Sequence, residues 1–180
     1  MSERTYEILS EETVFRGHIM RVGVAQVRFD DGEVVEREIC HKPGAVAVVA
    51  HDDTHVYLTR QPRPAIGNPD SLELPAGLLD KDDEPPEQTA ARELAEEIGK
   101  HPRRLTHLKT FWPSVGSVEE QVHIYLAEDL EDREADSGEN ERIEIVRWPL
   151  EDLDGALDAV EDSKTIIGLL LLKQRLRDSA

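Results

Sequence analysis

At 180 residues with 38% hydrophobic content, the chain is long enough for one ordinary domain and a small appendage. Its net charge of −18 argues against non-specific attraction to DNA, RNA or an anionic membrane, so an anionic substrate would need metal ions and local arginines. Cys40 is the only cysteine, which excludes an intrachain disulfide; it reads as a small buried hydrophobe.

Residues 5–40 read as several short strands. Val22–Phe29, the turn Asp30-Asp31-Gly32 and Val34–Ile39 form a β-hairpin. Gly44–Ala50 is a continuous apolar run, as a central buried strand would be, and His55–Arg60 is its expected partner across a turn. A proline-rich loop, Pro62–Pro69, then leads to a short strand at Ser71–Leu74. Pro85 and Pro86 suit the entry to a helix, and Gly99 suits its exit. Ala90, Leu94 and Ile98 give that helix one apolar stripe.

Leu105–Trp112 and Gln121–Ala127 read as strands around the loop Pro113–Glu120. Glu128–Arg142 is polar and acidic and reads as an exposed loop. Ile143–Trp148 is a further strand, and Leu150–Val160 is helical. Ser163 is the expected N-cap of a last helix reaching about Arg177, with Ile166, Ile167, Leu169, Leu170 and Leu172 as its apolar side. The longest apolar run, Ile166–Leu172, is too short to span a bilayer, and Met1–Ser10 is unlike a secretory leader. A soluble cytoplasmic protein is the expectation. The order of elements predicts the α/β class: an α/β/α sandwich with a mixed sheet, preceded by a small N-terminal antiparallel β-region.

The chemistry concentrates at Arg92-Glu93-Leu94-Ala95-Glu96-Glu97. On a helix, Glu93, Glu96 and Glu97 fall at i, i+3 and i+4, within about 100° of the circumference. Three carboxylates so close repel one another unless a cation sits among them, and hard divalent ions prefer such oxygen ligands. An acidic helix face in an acidic protein is ordinarily just solvated. The flanking residues are what favour a metal here.

Together, Gly77…Glu84…Arg92-Glu93-Leu94-Ala95-Glu96-Glu97-Ile98-Gly99 resembles the Nudix box, a loop–helix–loop module that binds Mg²⁺ or Mn²⁺ and hydrolyses nucleoside diphosphates linked to another group. Two positions depart from the usual pattern. Glu84 follows Gly77 by seven residues where six are usual, and Lys100 stands where an apolar residue is usual. The N-terminal strands, Arg60–Gly67, the loop before Glu120 and Ser163-Lys164-Thr165 extend the resemblance to the ADP-ribose pyrophosphatase branch.

That resemblance implies roles. Glu93 and Glu97 would be principal metal ligands, with Glu96 and the Ala76 carbonyl as further ligands. Glu120 would be the general base, with Glu119 as its competitor. Arg63 would grip the substrate phosphates, and Glu73 would hydrogen-bond in the site. Arg37 and Glu38 read by themselves as outward-facing strand residues; the resemblance has them reach an adenosine, often from a partner subunit. It also implies a homodimer, with residues 1–40 as the dimerising region and 41–180 as the hydrolase domain. The implied reaction is cleavage of ADP-ribose to AMP and ribose 5-phosphate. Another nucleoside diphosphate sugar, a dinucleoside polyphosphate or NADH would suit the same box, and an inactive nucleotide-binding module would keep the same fold.

Overall fold

A computed structural model describes residues 5–133 and 143–178. These fall into two compact units. One runs to Pro43 and takes in Trp112–Gln121; the other comprises Gly44–Phe111 and the chain from Val122 onward.

The larger unit is built on β4 (Ala45–His51), whose first six residues are all buried. Such a run can be covered on both faces only at the centre of a sheet. There β4 pairs in parallel with β10 (Val122–Asp132) and, at its own end, in antiparallel with the start of β5 (His55–Arg63). The sheet order is β11-β5-β4-β10-β8, with β8 at Lys100–Phe111 and β11 at Glu144–Pro149. Two short strands join it: β6 (Asn68–Glu73) on β5 and β7 (Ala76–Leu78) on β4.

Alternation along β4 sends its side chains to two cores. Val46, Val48 and Ala50 face α1 (Pro86–Ile98), packing with Ala90, Leu94 and Ile98 as its stripe requires. Ala47 and Val49 face the opposite way, into a core with residues of α2 (Leu153–Ala159) and α3 (Ser163–Asp178). The result is the expected α/β/α sandwich with a mixed sheet. No helix among the described residues is long and apolar enough to cross a membrane.

Several details differ from the sequence expectation. The proline-rich loop is a tight hairpin: β5 runs on to Arg63, a single 3-10 turn spans Pro64–Ile66, and β6 starts at Asn68. Gly67 closes that turn at φ 67°. Glu128–Asp132 is not loop but the end of β10, paired with β8 as far as Lys100; the rest of that acidic stretch, 134–142, lies outside the described residues. Opposite charges across this edge, Arg104 with Glu128 and Arg103 with Glu131, offset the polarity that argued for a loop. In α3 the cap is Asp162 rather than Ser163: its carboxylate accepts from the Thr165 N–H at 2.9 Å. The buried face of α3 is Thr165, Gly168, Leu169 and Leu172, while Leu170 is exposed.

The smaller unit is a sheet of order β1-β2-β3-β9, with β1 at Tyr6–Arg16, β2 at Arg21–Phe29, β3 at Val34–His41 and β9 at Val118–Glu119. Gly32 closes the β2–β3 hairpin at φ 88°, where a side chain would be strained. Along β2, Gly23, Ala25 and Val27 alternate as buried positions. β1 is one long strand whose residues are all exposed, so it carries no alternation to read. Cys40 is only partly buried, its Sγ 3.9 Å from Met20 Sδ.

Candidate active site

The α1 helix starts at Pro86 and ends at Gly99 in the left-handed conformation, φ 64°. The apolar stripe Ala90, Leu94 and Ile98 fixes the rotation of its polar face. Leu94 and Ile98 are turned into the core, and Glu93, Glu96 and Glu97 follow on the adjoining side.

That side meets β7. The Glu97 carboxylate is buried and accepts from the Ala76 N–H at 3.1 Å. Glu93 lies against Gly77 so closely that a Cβ there would overlap its carboxyl group. A Cβ at 77 would therefore push the Glu93 carboxyl group away from this strand. Two α1 carboxylates are thus held on consecutive residues of one short strand.

Arg92 draws the remaining acids together. It donates to Glu93 at 2.6 Å, to Glu96 at 2.9 Å and to Glu84 at 3.0 Å. Arg92 and the Thr89 hydroxyl hold the Glu84 carboxyl below its usual value. The extra residue before Glu84 is taken up ahead of the helix, where Asp83 adopts φ 63°, and Glu84 still reaches Arg92. A cleft of about 440 Å³ opens beside Arg92 and Glu96, with Glu84, His101 and Arg133 on its walls.

A second cluster joins β5, β6 and α3. Arg63 donates to Glu73 through two nitrogens, at 2.7 and 2.8 Å. Lys164 donates to the same carboxylate at 2.9 Å and to Asp162 at 2.9 Å. Burial pushes the Glu73 carboxyl up, and Arg63 with Lys164 more than offsets this, holding it at about 2. The hydrogen bonds that Arg63 donates to Glu73, opposed by burial, raise Arg63 above the usual arginine value, and the charges of Glu73, Glu97 and Asp162 add to that.

Glu120, Arg37 and Glu38 belong to the smaller unit. Glu120 is nearly covered, 11% exposed, and accepts from Lys42 Nζ at 2.7 Å. Glu119 is 59% exposed and pairs with His41, which also bonds Glu11. Arg37 lies over the Phe29 ring, 5.9 Å from its centroid, and helps line a cavity of about 540 Å³ with Phe29, Ile39 and Trp112. Glu38, next on the strand, is exposed.

Among the described residues, no three His, Cys, Asp or Glu side chains converge as a metal group. Glu93 and Glu96 turn to Arg92, and Glu97 turns to Ala76. The donors nevertheless suit a hard divalent ion. They are carboxylates of one helix face, two of them set against the backbone of β7.

The NUDIX domain model matches residues 41–170. The chain belongs to the Nudix family. It is 38% identical over 181 residues to an ADP-ribose pyrophosphatase of Bacillus subtilis (strain 168), covering 94% of each chain. It is 41% identical over 131 residues to an ADP-ribose pyrophosphatase of Mycobacterium tuberculosis (strain ATCC 25618 / H37Rv), covering 72% of this chain and 63% of that relative. A crystal structure of an ADP compounds hydrolase superposes with a TM-score of 0.87 at 27% identity, covering 98% of this chain and 96% of its own. Nudix enzymes are in general divalent-metal dependent and act on nucleoside diphosphate substrates.

Sequence reasoning missed Lys164 as a site residue. Its segment carried the resemblance, but its partner Glu73 lies 91 residues away, and a lone lysine at a helix start has no chemical signature.

Proposed function

We propose that this Nudix hydrolase cleaves the diphosphate of ADP-ribose to AMP and ribose 5-phosphate with Mg²⁺, Mn²⁺ serving as a substitute. The observation that supports this most is the α1 carboxylate face set on Ala76–Gly77, in a chain whose relatives include ADP-ribose pyrophosphatases. Glu93 and Glu97 are the principal metal ligands in this reading, with Glu96 and the Ala76 carbonyl as further ligands. When bound, the ion neutralises diphosphate charge and makes the attacking water more acidic.

The chain's own residues do the rest. Glu120 accepts the proton from water as its oxygen attacks one phosphorus and the bridging P–O bond breaks. Arg63 binds the phosphates through guanidinium geometry, oriented by Glu73. Arg37 and Glu38 receive the adenosine. Residues 1–40 form a homodimer interface, which would cover Tyr6, Ile8, Leu9, Val14 and Phe15 of the exposed strand β1. The cytoplasm is the compartment of this activity.

The test is product analysis. Protein and Mg²⁺ are incubated with ADP-ribose, UDP-glucose, GDP-mannose, NADH and diadenosine polyphosphates, with and without chelator. Chelator-sensitive AMP release, fastest from ADP-ribose, is expected. Faster cleavage of another compound would replace the substrate, and no cleavage by folded protein would leave a nucleotide-binding module. E120Q should lower kcat by about 10²–10⁴ while E119Q lowers it little; the reverse order would move the base to Glu119.

A further inference from the structure

We infer that Lys164 is a positioning residue for substrate binding, orienting the Arg63 guanidinium through the buried carboxylate of Glu73. The inference rests on the reading of Arg63 as the phosphate-binding arginine.

Arg63 ends β5 and its side chain is 41% exposed, whereas that of Glu73 is 3% exposed. The two-point pair fixes the plane of the guanidinium, but only as firmly as the carboxylate itself is fixed. A glutamate side chain turns about three bonds, so one partner does not hold it. Lys164 donates to Glu73 Oε2, the oxygen that also receives Arg63 Nη2, and so gives the carboxylate a second anchor.

The first turn of α3 is built to hold that lysine. Asp162 accepts from Lys164 Nζ, from the Thr165 N–H and from the Thr165 hydroxyl. The Thr165 hydroxyl oxygen in turn accepts from the N–H of Leu74, at 2.9 Å. The helix start therefore grips both the Glu73 side chain and the backbone beside it. The charges of Arg63, Glu73, Lys164 and Asp162 cancel, so Lys164 contributes orientation and not net attraction for an anion. Nη1 of Arg63 makes no hydrogen bond among the described residues, which leaves that edge for a phosphate.

The experiment pairs kinetics with a spectrum that needs no turnover. Wild type, K164M, K164R, R63A and R63A/K164M are compared in Mg²⁺ on the panel compound that wild type cleaves fastest. The Arg63 Nε–H resonance, assigned by its loss in R63A, is followed in ¹H–¹⁵N spectra. K164M should broaden that resonance and raise KM by about three- to tenfold, the scale of one lost hydrogen bond, with kcat within about twofold. K164R should restore both. R63A should raise KM further, and adding K164M to it should change nothing more.

An unchanged resonance and unchanged KM in folded K164M would overturn the inference. A lower melting temperature with neither change would likewise make Lys164 only structural and overturn it. Unchanged KM in R63A would instead overturn the phosphate reading of Arg63, while a broadened resonance in K164M would still uphold the orientation.

Discussion

Helices α1 and α3 pack on opposite faces of the same sheet, and they were unequally legible. In α1 the apolar residues fall on one stripe, the acids fall beside it, and Pro86 and Gly99 mark its ends. Pattern and punctuation agree, so the rotation of the helix follows from the sequence alone. In α3 the apolar residues Ile166, Ile167 and Leu169–Leu172 wrap most of the helix, so hydrophobicity does not choose a face. The choice is made by close approach. Gly168 faces the sheet, where an added Cβ would stand 2.5 Å from Leu74 Cδ1 and 2.9 Å from Val49 Cγ2. A small residue among large ones marks the buried side, and Leu170 is left outside.

The largest effect is expected at the α1 face. E97Q should lower kcat/KM by at least about 100-fold, since even residues that only support metal ligands cost 10- to 100-fold when changed. Its circular dichroism should match wild type. A folded E97Q of full activity would reduce α1 to a solvated acidic helix.

On α3, L169A should destabilise the protein by about 2–5 kcal/mol, as a fully buried leucine does. L170A should stay within about 0.5 kcal/mol. Denaturant melts of the pair measure this difference; equal losses would mean that Leu170 is buried as deeply as Leu169.

A smaller effect joins α3 to the site. Glu73 is held at about 2, below the 4.5 of the free group. Because its folded value is the lower one, its stabilisation is complete above about 4.5 and is lost as pH falls toward about 2. The loss amounts to roughly 3 kcal/mol. Urea melts between pH 6 and 2 should therefore fall less steeply for E73Q than for wild type; equal slopes would place the acid sensitivity elsewhere.

The rest of the fold divides on the same principle. β4 was legible because an apolar run flanked by turns has few alternatives, and α1 because its caps and stripe agree. The full length of β1 was not, since a strand exposed on every residue leaves no period. Neither was the end of β10, where cross-strand ion pairs support residues that look like loop. At the site, the acids, Ala76 and Arg63 were legible as residue types in a motif. Their partners were not: Glu97 with the Ala76 N–H, and Glu73 with Lys164, depend on segments brought together only by folding.

In the proposed function the α1 carboxylates hold a divalent cation. Titration of Mn²⁺ into wild type and E97Q, followed by the loss of free-ion signal in electron paramagnetic resonance, tests it most directly. Wild type should bind Mn²⁺ in a way that Mg²⁺ competes away and that E97Q weakens by at least about tenfold. Equal Mn²⁺ binding by wild type and folded E97Q would contradict it.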